Sequence, residues 1–135
     1  MKLALNGRPP QPIGWPLLPL PNGDGRLCYP DLAESVRQNL RVILSTRPGE
    51  QLMRPQYGAG LLDFIGETDS IRTRRRIYDR VTEGIGRWEP RIDVSRVDVD
   101  ALPGGAAGQM RIEIAYRLRR TGETGTIGVT LELQA

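Results

Sequence analysis

Apolar residues in the first half of the chain recur at spacings of three and four, a pattern that predicts two amphipathic helices. The first begins at Asp31, which resembles a capping box together with Glu34, and ends near Ser45. The second is predicted from about Asp69 to Trp88. Its projection places one apolar and one basic set on opposite sides. The apolar side carries Ile71, Ile77, Tyr78, Val81, Ile85 and Trp88, and the basic side carries Arg72, Arg76, Arg80 and Arg87.

The last third of the chain alternates apolar and polar residues with a period of two, which predicts three strands. The first contains Ile92 and Val94, followed by Val97 and Val99 in the opposite phase, so we expect a bulge near Ser95-Arg96. The turns are expected within 103–108 and around 121–123. The apolar positions of the second and third strands are Met110, Ile112, Ile114, Tyr116 and Leu118, then Ile127, Val129, Leu131 and Leu133.

Two helices followed by a three-stranded antiparallel meander define an α+β fold. We assign this domain to residues 31–135. The last strand ends close to the end of the chain, so one side of its backbone is expected to form an open sheet edge. Such an edge is either protected or used, and its productive use is the addition of a strand from a partner protein.

Residues 1–30 form a separate segment, rich in proline, that can form neither a helix nor a central strand. Two interpretations remain open: a disordered tail, or an extended arm that carries apolar side chains to another surface. A simple linker has little use for so many large apolar residues, which favours the arm. The candidate contact residues are Ile13, Trp15, Leu17 and Leu18.

The junction between the second helix and the first strand is Glu89-Pro90-Arg91, called the corner below. Proline can end a helix but cannot extend it, and it pushes the preceding residue toward extended geometry. Residues two apart in extended chain share a face, so the side chains of Glu89 and Arg91 are expected on the same side. The corner would then be a rigid charged peg, or more simply a helix stop with a local ion pair.

Composition narrows the class of protein. A length of 135 residues fits one domain with a decorated terminus. The single cysteine, Cys28, cannot form an internal disulfide, and neither a secretory signal nor an apolar run long enough to span a membrane is visible. Synthesis in a reducing cytoplasm and no membrane partner are therefore expected.

The net charge of +3 raises the question of nucleic acid, and all but one of the 19 basic residues are arginine. Arginine suits planar pairing with carboxylate or phosphate, and it also serves protein interfaces. The arginine side of the second helix could be a solvated surface, a protein interface or a nucleic-acid site. Asp79 and Glu83 dilute its field, with Glu83 four residues before Arg87, and no aromatic residues interleave, which argues against nucleic acid.

Several motifs in order make a recognisable series: Thr46-Arg47-Pro48-Gly49-Glu50, then Tyr57-Gly58, then the corner followed by paired valines. Together with the two helices, this series resembles the small baseplate wedge family of contractile injection machines. That family occurs in contractile phage tails, tailocins and type VI secretion systems. The resemblance covers roughly residues 32–133 and leaves the proline-rich arm outside.

The resemblance implies a structural role. In that family the domain joins the baseplate wedge to the first ring of the contractile sheath. Carried over, Glu89, Pro90 and Arg91 become the residues that dock on the helical bundle of wedge proteins. The strands within 109–133 become sites of sheath attachment by strand addition, with Ile112, Ile114, Tyr116, Ile127, Val129 and Leu131 as candidates. The arm could contact other baseplate or hub subunits, and the protein would be assembled in the bacterial cytoplasm into a tail baseplate or an equivalent particle.

An enzyme is the first rival hypothesis, because members of this family have carried a lysozyme label. Glycoside cleavage needs two carboxyl groups at a defined separation. Glu50, Asp63, Glu67 and Glu89 are available, but nothing in their spacing pairs them. The chain has no histidine, so histidine-dependent catalysis and histidine metal sites are excluded, and one cysteine cannot build a thiolate zinc site. We therefore expect no catalysis, metal or cofactor.

The second rival is a soluble regulatory protein-binding module on the same fold, since the wider group also resembles a stress-response anti-adapter. The corner discriminates the two, because it suits wedge docking and a regulator does not require it.

Overall fold

A computed structural model describes residues 20–134. The chain divides into two compact units, Met1–Asn39 and Leu40–Ala135. In the first, Pro21 and Leu27 form an isolated antiparallel bridge around a turn. The Asn22 side-chain oxygen stabilises this turn by accepting hydrogen bonds from the backbone N–H groups of Asp24 and Arg26, each at 3.0 Å. The turn is exposed.

Helix α1 (Leu32–Ser45) begins in the first unit and ends in the second. Asp31 caps it, as predicted, because its carboxylate accepts the Glu34 N–H at 2.9 Å. At the other end, the hydroxyl groups of Ser45 and Thr46 donate to the carbonyls of Arg41 and Val42, at 2.8 and 2.6 Å. The helix therefore ends with some of its last carbonyl groups satisfied. Its buried positions are Val36, Leu40, Ile43 and Leu44.

Helix α2 (Ile71–Trp88) starts two residues later than the sequence predicted. The reason is an N-cap that the periodicity does not show: Ser70 accepts the Thr73 N–H at 3.1 Å. Two of the predicted core positions are wrong, because Ile71 is 89% exposed and Tyr78 is also exposed. They lie roughly 110° and 90° around the helix from the centre of the buried stripe. That stripe consists of Thr73, Ile77, Val81, Gly84 and Ile85.

Three strands follow: β1 (Ile92–Ala101), β2 (Gln109–Leu118) and β3 (Thr124–Glu132). They form an antiparallel sheet in the order β1-β2-β3, and α2 packs against β1. The bulge is confirmed, since Val94 pairs with Tyr116 whereas Arg96 pairs with Ala115, leaving Ser95 as the extra residue. The predicted α+β meander is confirmed.

The core of the second unit is mainly aliphatic, as its composition indicates. It combines the inward residues of β2 and β3 with the buried stripe of α2 and with Leu61 and Phe64 from a short 3-10 helix (Leu61–Phe64). Full burial of one leucine, isoleucine or phenylalanine side chain contributes about 1.5–3 kcal/mol to the stability of the fold. Across residues 20–134, no helix combines the length and the apolar character needed to cross a bilayer.

Candidate functional site

The corner turns the chain from helix to strand within three residues. Glu89 ends α2, with its N–H donating to the Ile85 carbonyl at 2.9 Å. Pro90 has no N–H to continue the helical ladder. The chain therefore leaves the helix here, and β1 begins at Ile92.

Glu89 and Arg91 form a bidentate ion pair at this corner. Arg91 Nε donates to Glu89 Oε1 at 2.7 Å, and Nη2 donates to Oε2 at 2.8 Å. The Arg91 backbone N–H adds a bond of 3.2 Å to Oε1. The prediction that the two side chains share one side is confirmed. The interpretation of the corner as a peg that exposes both charges is wrong, however. The Glu89 side chain is 1% exposed, whereas that of Arg91 is 35% exposed.

This pairing holds the guanidinium charged and in one orientation. The hydrogen bond with Glu89 raises the pKa of Arg91, and the negative charge of Glu89 adds to the shift, while burial opposes both. A planar guanidinium locked by two parallel bonds has few orientations left to lose on binding. Arg91 is thus presented as a fixed cation, and Glu89 is the residue that positions it.

An aromatic pair lies beside the corner. The rings of Tyr57 and Trp88 have centroids 5.2 Å apart and are tilted by 59°. The Arg54 guanidinium lies over both, 4.2 Å from the Tyr57 centroid and 5.2 Å from that of Trp88. Burial raises the pKa of Tyr57, the Arg54 charge opposes this, and the charge of Glu89 adds to it. The Tyr57 phenol therefore lies within electrostatic reach of the corner.

The Tyr57-Gly58 step positions this pair. Gly58 has a φ of +107°, and a Cβ there would lie 2.1 Å from the Thr46 carbonyl oxygen, so only glycine fits. The next two residues bind the end of α1: Ala59 N–H donates to Ile43 O at 2.8 Å and Gly60 N–H to Thr46 O at 2.9 Å. The motif therefore attaches the loop to α1.

The sequence predicted neither the Tyr57–Trp88 pair nor the place of Arg54 over it. The glycine after Tyr57 was the available signal of a close approach, but nothing local indicated which helix the ring would meet.

The candidate sheath residues divide between a central and an edge strand. β2 pairs on both sides, so the backbone at Ile112, Ile114 and Tyr116 cannot accept a further strand, and these three side chains are in the core. Ile127 and Leu131 are also buried, and Val129 is half-buried, but they belong to β3, a sheet edge. Of these two strands, only β3 has backbone groups with which a partner strand could pair. β2 is therefore removed from the candidates.

The edge of β3 is only partly open. Its end pairs with residues 66–69: Gly66 N–H donates to Glu132 O at 3.3 Å, Gln134 N–H to Glu67 O at 2.8 Å, and Asp69 N–H to Gln134 O at 2.9 Å. Alternation along an antiparallel strand then points the backbone groups of Thr126, Gly128 and Thr130 away from β2. Within residues 20–134 no strand pairs with this stretch.

The four carboxylates weighed for catalysis all have partners. Glu89 is held by Arg91. Asp63 pairs with Arg47 at 2.9 Å, and Glu67 pairs with Arg76 at 2.7 Å. Glu50 accepts the Arg47 N–H at 2.8 Å. In the described part of the chain, no group of three or more potential metal ligands comes together. The arm residues Ile13, Trp15, Leu17 and Leu18 lie outside the described residues.

Three solved structures with a similar fold are a tail lysozyme candidate and chains of two baseplates. One is a candidate tail lysozyme from Geobacter sulfurreducens, 29% identical with a TM-score of 0.71, covering 82% of this chain and 98% of its own. A chain of the anti-feeding prophage baseplate is 32% identical with a TM-score of 0.69, covering 82% and 87%. A chain of the pyocin R2 baseplate after contraction is 25% identical with a TM-score of 0.51, covering 82% and 94%.

The fold is therefore shared with baseplate components of contractile injection systems. The chain belongs to the family of the baseplate wedge protein gp25, whose model matches residues 30–123. No curated protein sequence matches the chain.

Proposed function

We propose that this protein is a non-catalytic component of a contractile baseplate wedge, and that it connects the helical bundle of the wedge to the first ring of the sheath. The observation that carries the wedge contact is the locked Glu89–Arg91 pair, which presents one oriented guanidinium at a sharp corner. Such a group can form a charge-assisted hydrogen bond with little further loss of freedom.

Co-purification with the products of neighbouring tail genes tests the wedge contact. Wild-type protein should capture wedge subunits, and Arg91→Ala should lose them. Arg91→Lys is the second variant, because it keeps the charge but not the bidentate geometry, and it should bind with intermediate strength. Arg120→Ala, an exposed arginine in the β2–β3 turn, is the matched control and should bind as wild type does. Equal capture by all four proteins would contradict the proposal.

A stable wild-type monomer that captures neither wedge nor sheath subunits would instead favour the regulatory module.

For the sheath contact we propose that an extended terminus of a sheath subunit adds to β3. Support comes from the outward backbone groups at Thr126, Gly128 and Thr130. Thr126→Pro removes one outward N–H group, and proline is tolerated on an edge strand. This variant should lose sheath capture, whereas Thr126→Ala, with an intact backbone, should keep it. Circular dichroism would verify that both variants fold. Sheath capture by Thr126→Pro at wild-type strength would exclude this edge.

The absence of catalysis is part of the same proposal, and it is supported by the arginine or backbone partners of Glu50, Asp63, Glu67 and Glu89. Purified protein should release no soluble fragments from peptidoglycan. A linear release that a single substitution such as Glu67→Gln abolishes would contradict it.

The arm is proposed to lie along a neighbouring baseplate subunit, with Trp15 and the leucines as contacts. It would do so in a particle assembled in the bacterial cytoplasm. Deletion of residues 1–25 should then impair incorporation into baseplates. Unchanged incorporation of the truncated protein would remove this contact from the proposal.

A further inference from the structure

A groove lies between the last turns of α2 and the loop that precedes the 3-10 helix. Its walls include Pro48, Pro55 and Gln56 from the loop, and Arg80, Arg87 and Trp88 from the helix. The two walls approach closely at their base, where a Cβ on Gly84 would lie 3.0 Å from that of Ala59. We call this feature the arginine groove.

Two arginines line the arginine groove, Arg80 and Arg87, and Arg54 lies beside it; none of the three has a carboxylate partner among the described residues. Arg87 donates to the side-chain oxygen of Gln56, and Arg80 makes a long contact of 3.5 Å with the Ala59 carbonyl. Arg54 lies over Tyr57 and Trp88. Helical spacing predicted that Glu83 would neutralise Arg87, but no ion pair joins these two residues. Arg80 and Arg87 are thus not neutralised by an ion pair within the described residues, although Glu83 also lines the groove.

The ion pairs of the described residues do not include the arginines of the groove. Residues 1–19 contain neither aspartate nor glutamate. The eight ion pairs of the described residues join other arginines, namely Arg47, Arg74, Arg75, Arg76, Arg91, Arg96, Arg111 and Arg119. None of these eight ion pairs involves Arg54, Arg80 or Arg87.

Protein carboxylates fit this groove better than nucleic acid does. Bases bind single-strand sites mainly by stacking on aromatic faces. Here Arg54 covers both rings, and Arg87 lies 4.9 Å from the Trp88 centroid, so the faces are already occupied by guanidinium groups.

We propose that the arginine groove binds an acidic segment of another protein through Arg80 and Arg87, which line it, and through Arg54, which lies beside it over Trp88. The identification of that protein as a wedge subunit rests on the function proposed above, because Trp88, which lines the groove, directly precedes the corner. The groove would then extend the contact made by Arg91.

Binding to the groove can be probed with a short fluorescein-labelled peptide of alternating glutamate and serine. A peptide in which lysine replaces each glutamate is the charge-reversed control. Fluorescence anisotropy should show binding of the acidic peptide only, weakening as salt rises. Arg54→Gln and Arg87→Gln should each weaken it by about 3- to 10-fold. Arg72→Gln is the matched control, since Arg72 is an exposed α2 arginine outside the groove, and its affinity should stay within about twofold of wild type.

Equal weakening by Arg72→Gln and Arg87→Gln would overturn the groove in favour of diffuse attraction to a basic surface. Stronger binding of a single-stranded oligonucleotide than of the acidic peptide, lost in Arg87→Gln, would overturn it in favour of nucleic acid. Capture of wedge subunits separates the two proposals. If wild type captures them and Arg54→Gln/Arg87→Gln captures them equally, the groove inference fails and the proposed function stands. If wild type captures none, the proposed function fails, while the peptide experiment decides the groove by itself.

Discussion

The buried carboxylate of Glu89 is held by the partly exposed guanidinium of Arg91 through two hydrogen bonds of 2.7 and 2.8 Å. Two residues apart in sequence, they form a pair in which one member supplies orientation and the other remains accessible. A buried carboxylate is costly unless it is paired and hydrogen-bonded, so the corner depends on both residues.

The contributions of Glu89 and Arg91 to stability should be coupled rather than additive. Arg91→Met leaves the Glu89 charge without this partner, and we expect the free energy of unfolding to fall by about 1–3 kcal/mol, less than for a fully buried pair because Arg91 is partly solvated. In the double variant Glu89→Gln/Arg91→Met the loss should be smaller than the sum of the single losses. Urea denaturation of wild type, Glu89→Gln, Arg91→Met and the double variant measures this coupling. Strictly additive losses would mean that the pair contributes nothing to stability.

Gly58 should tolerate no side chain. Gly58→Ala combines a positive φ of +107° with a Cβ 2.1 Å from the Thr46 carbonyl oxygen, so we expect a loss of at least about 3 kcal/mol in the free energy of unfolding. Gly86→Ala is the control, because a Cβ there meets nothing within 4 Å on an exposed face of α2. It should gain up to about 1 kcal/mol. Thermal denaturation distinguishes the two, and similar effects at both sites would contradict this account of Gly58.

Met53 should gain stability on replacement by glycine. It has a φ of +63° and is 99% exposed, so its side chain makes no buried contact to offset the strain. We expect Met53→Gly to raise the free energy of unfolding by about 0.5–1 kcal/mol. Leu52→Gly is the control. Leu52 precedes Met53 and is 93% exposed but has no positive φ, so glycine there should lower the free energy of unfolding by a similar amount. If chemical denaturation showed a lower free energy of unfolding for both variants, the backbone of Met53 would not be strained.

Asp69 and Arg74 should make stability depend on pH in the acid range. A bidentate bond from Arg74, at 2.8 Å to each oxygen, lowers the pKa of Asp69. A lowered carboxyl pKa stabilises the folded state above the unfolded value near 3.9, and the benefit is lost as pH falls through the folded value. The difference in stability between wild type and Asp69→Asn should be constant above about pH 5 and shrink below about pH 4, with a size under about 1 kcal/mol.

The same comparison in an Arg74→Gln background checks the cause. There the effect of Asp69→Asn should lose most of its pH dependence. Denaturant titrations between pH 2.5 and 7 would measure both series, and an unchanged pH profile in the Arg74→Gln background would assign the effect to another group.

Features that depend on neighbouring positions were predictable from the sequence. The helices and strands follow from side-chain periodicity, and the change of phase between Val94 and Val97 revealed the bulge at Ser95. The shared side of Glu89 and Arg91 followed from extended geometry beside a proline. Each of these conclusions needs only the local repeat of the backbone.

Tertiary structure alone decided what those elements meet. Periodicity could not show that Glu89 is buried, that Arg87 bonds Gln56 from 31 residues earlier rather than Glu83 on its own helix, or that residues 66–69 cover the end of β3. These contacts join segments far apart in the chain, and they depend on how closely the loop, the helix and the sheet edge pack. Local backbone geometry sets where a side chain points, but only packing sets what it reaches.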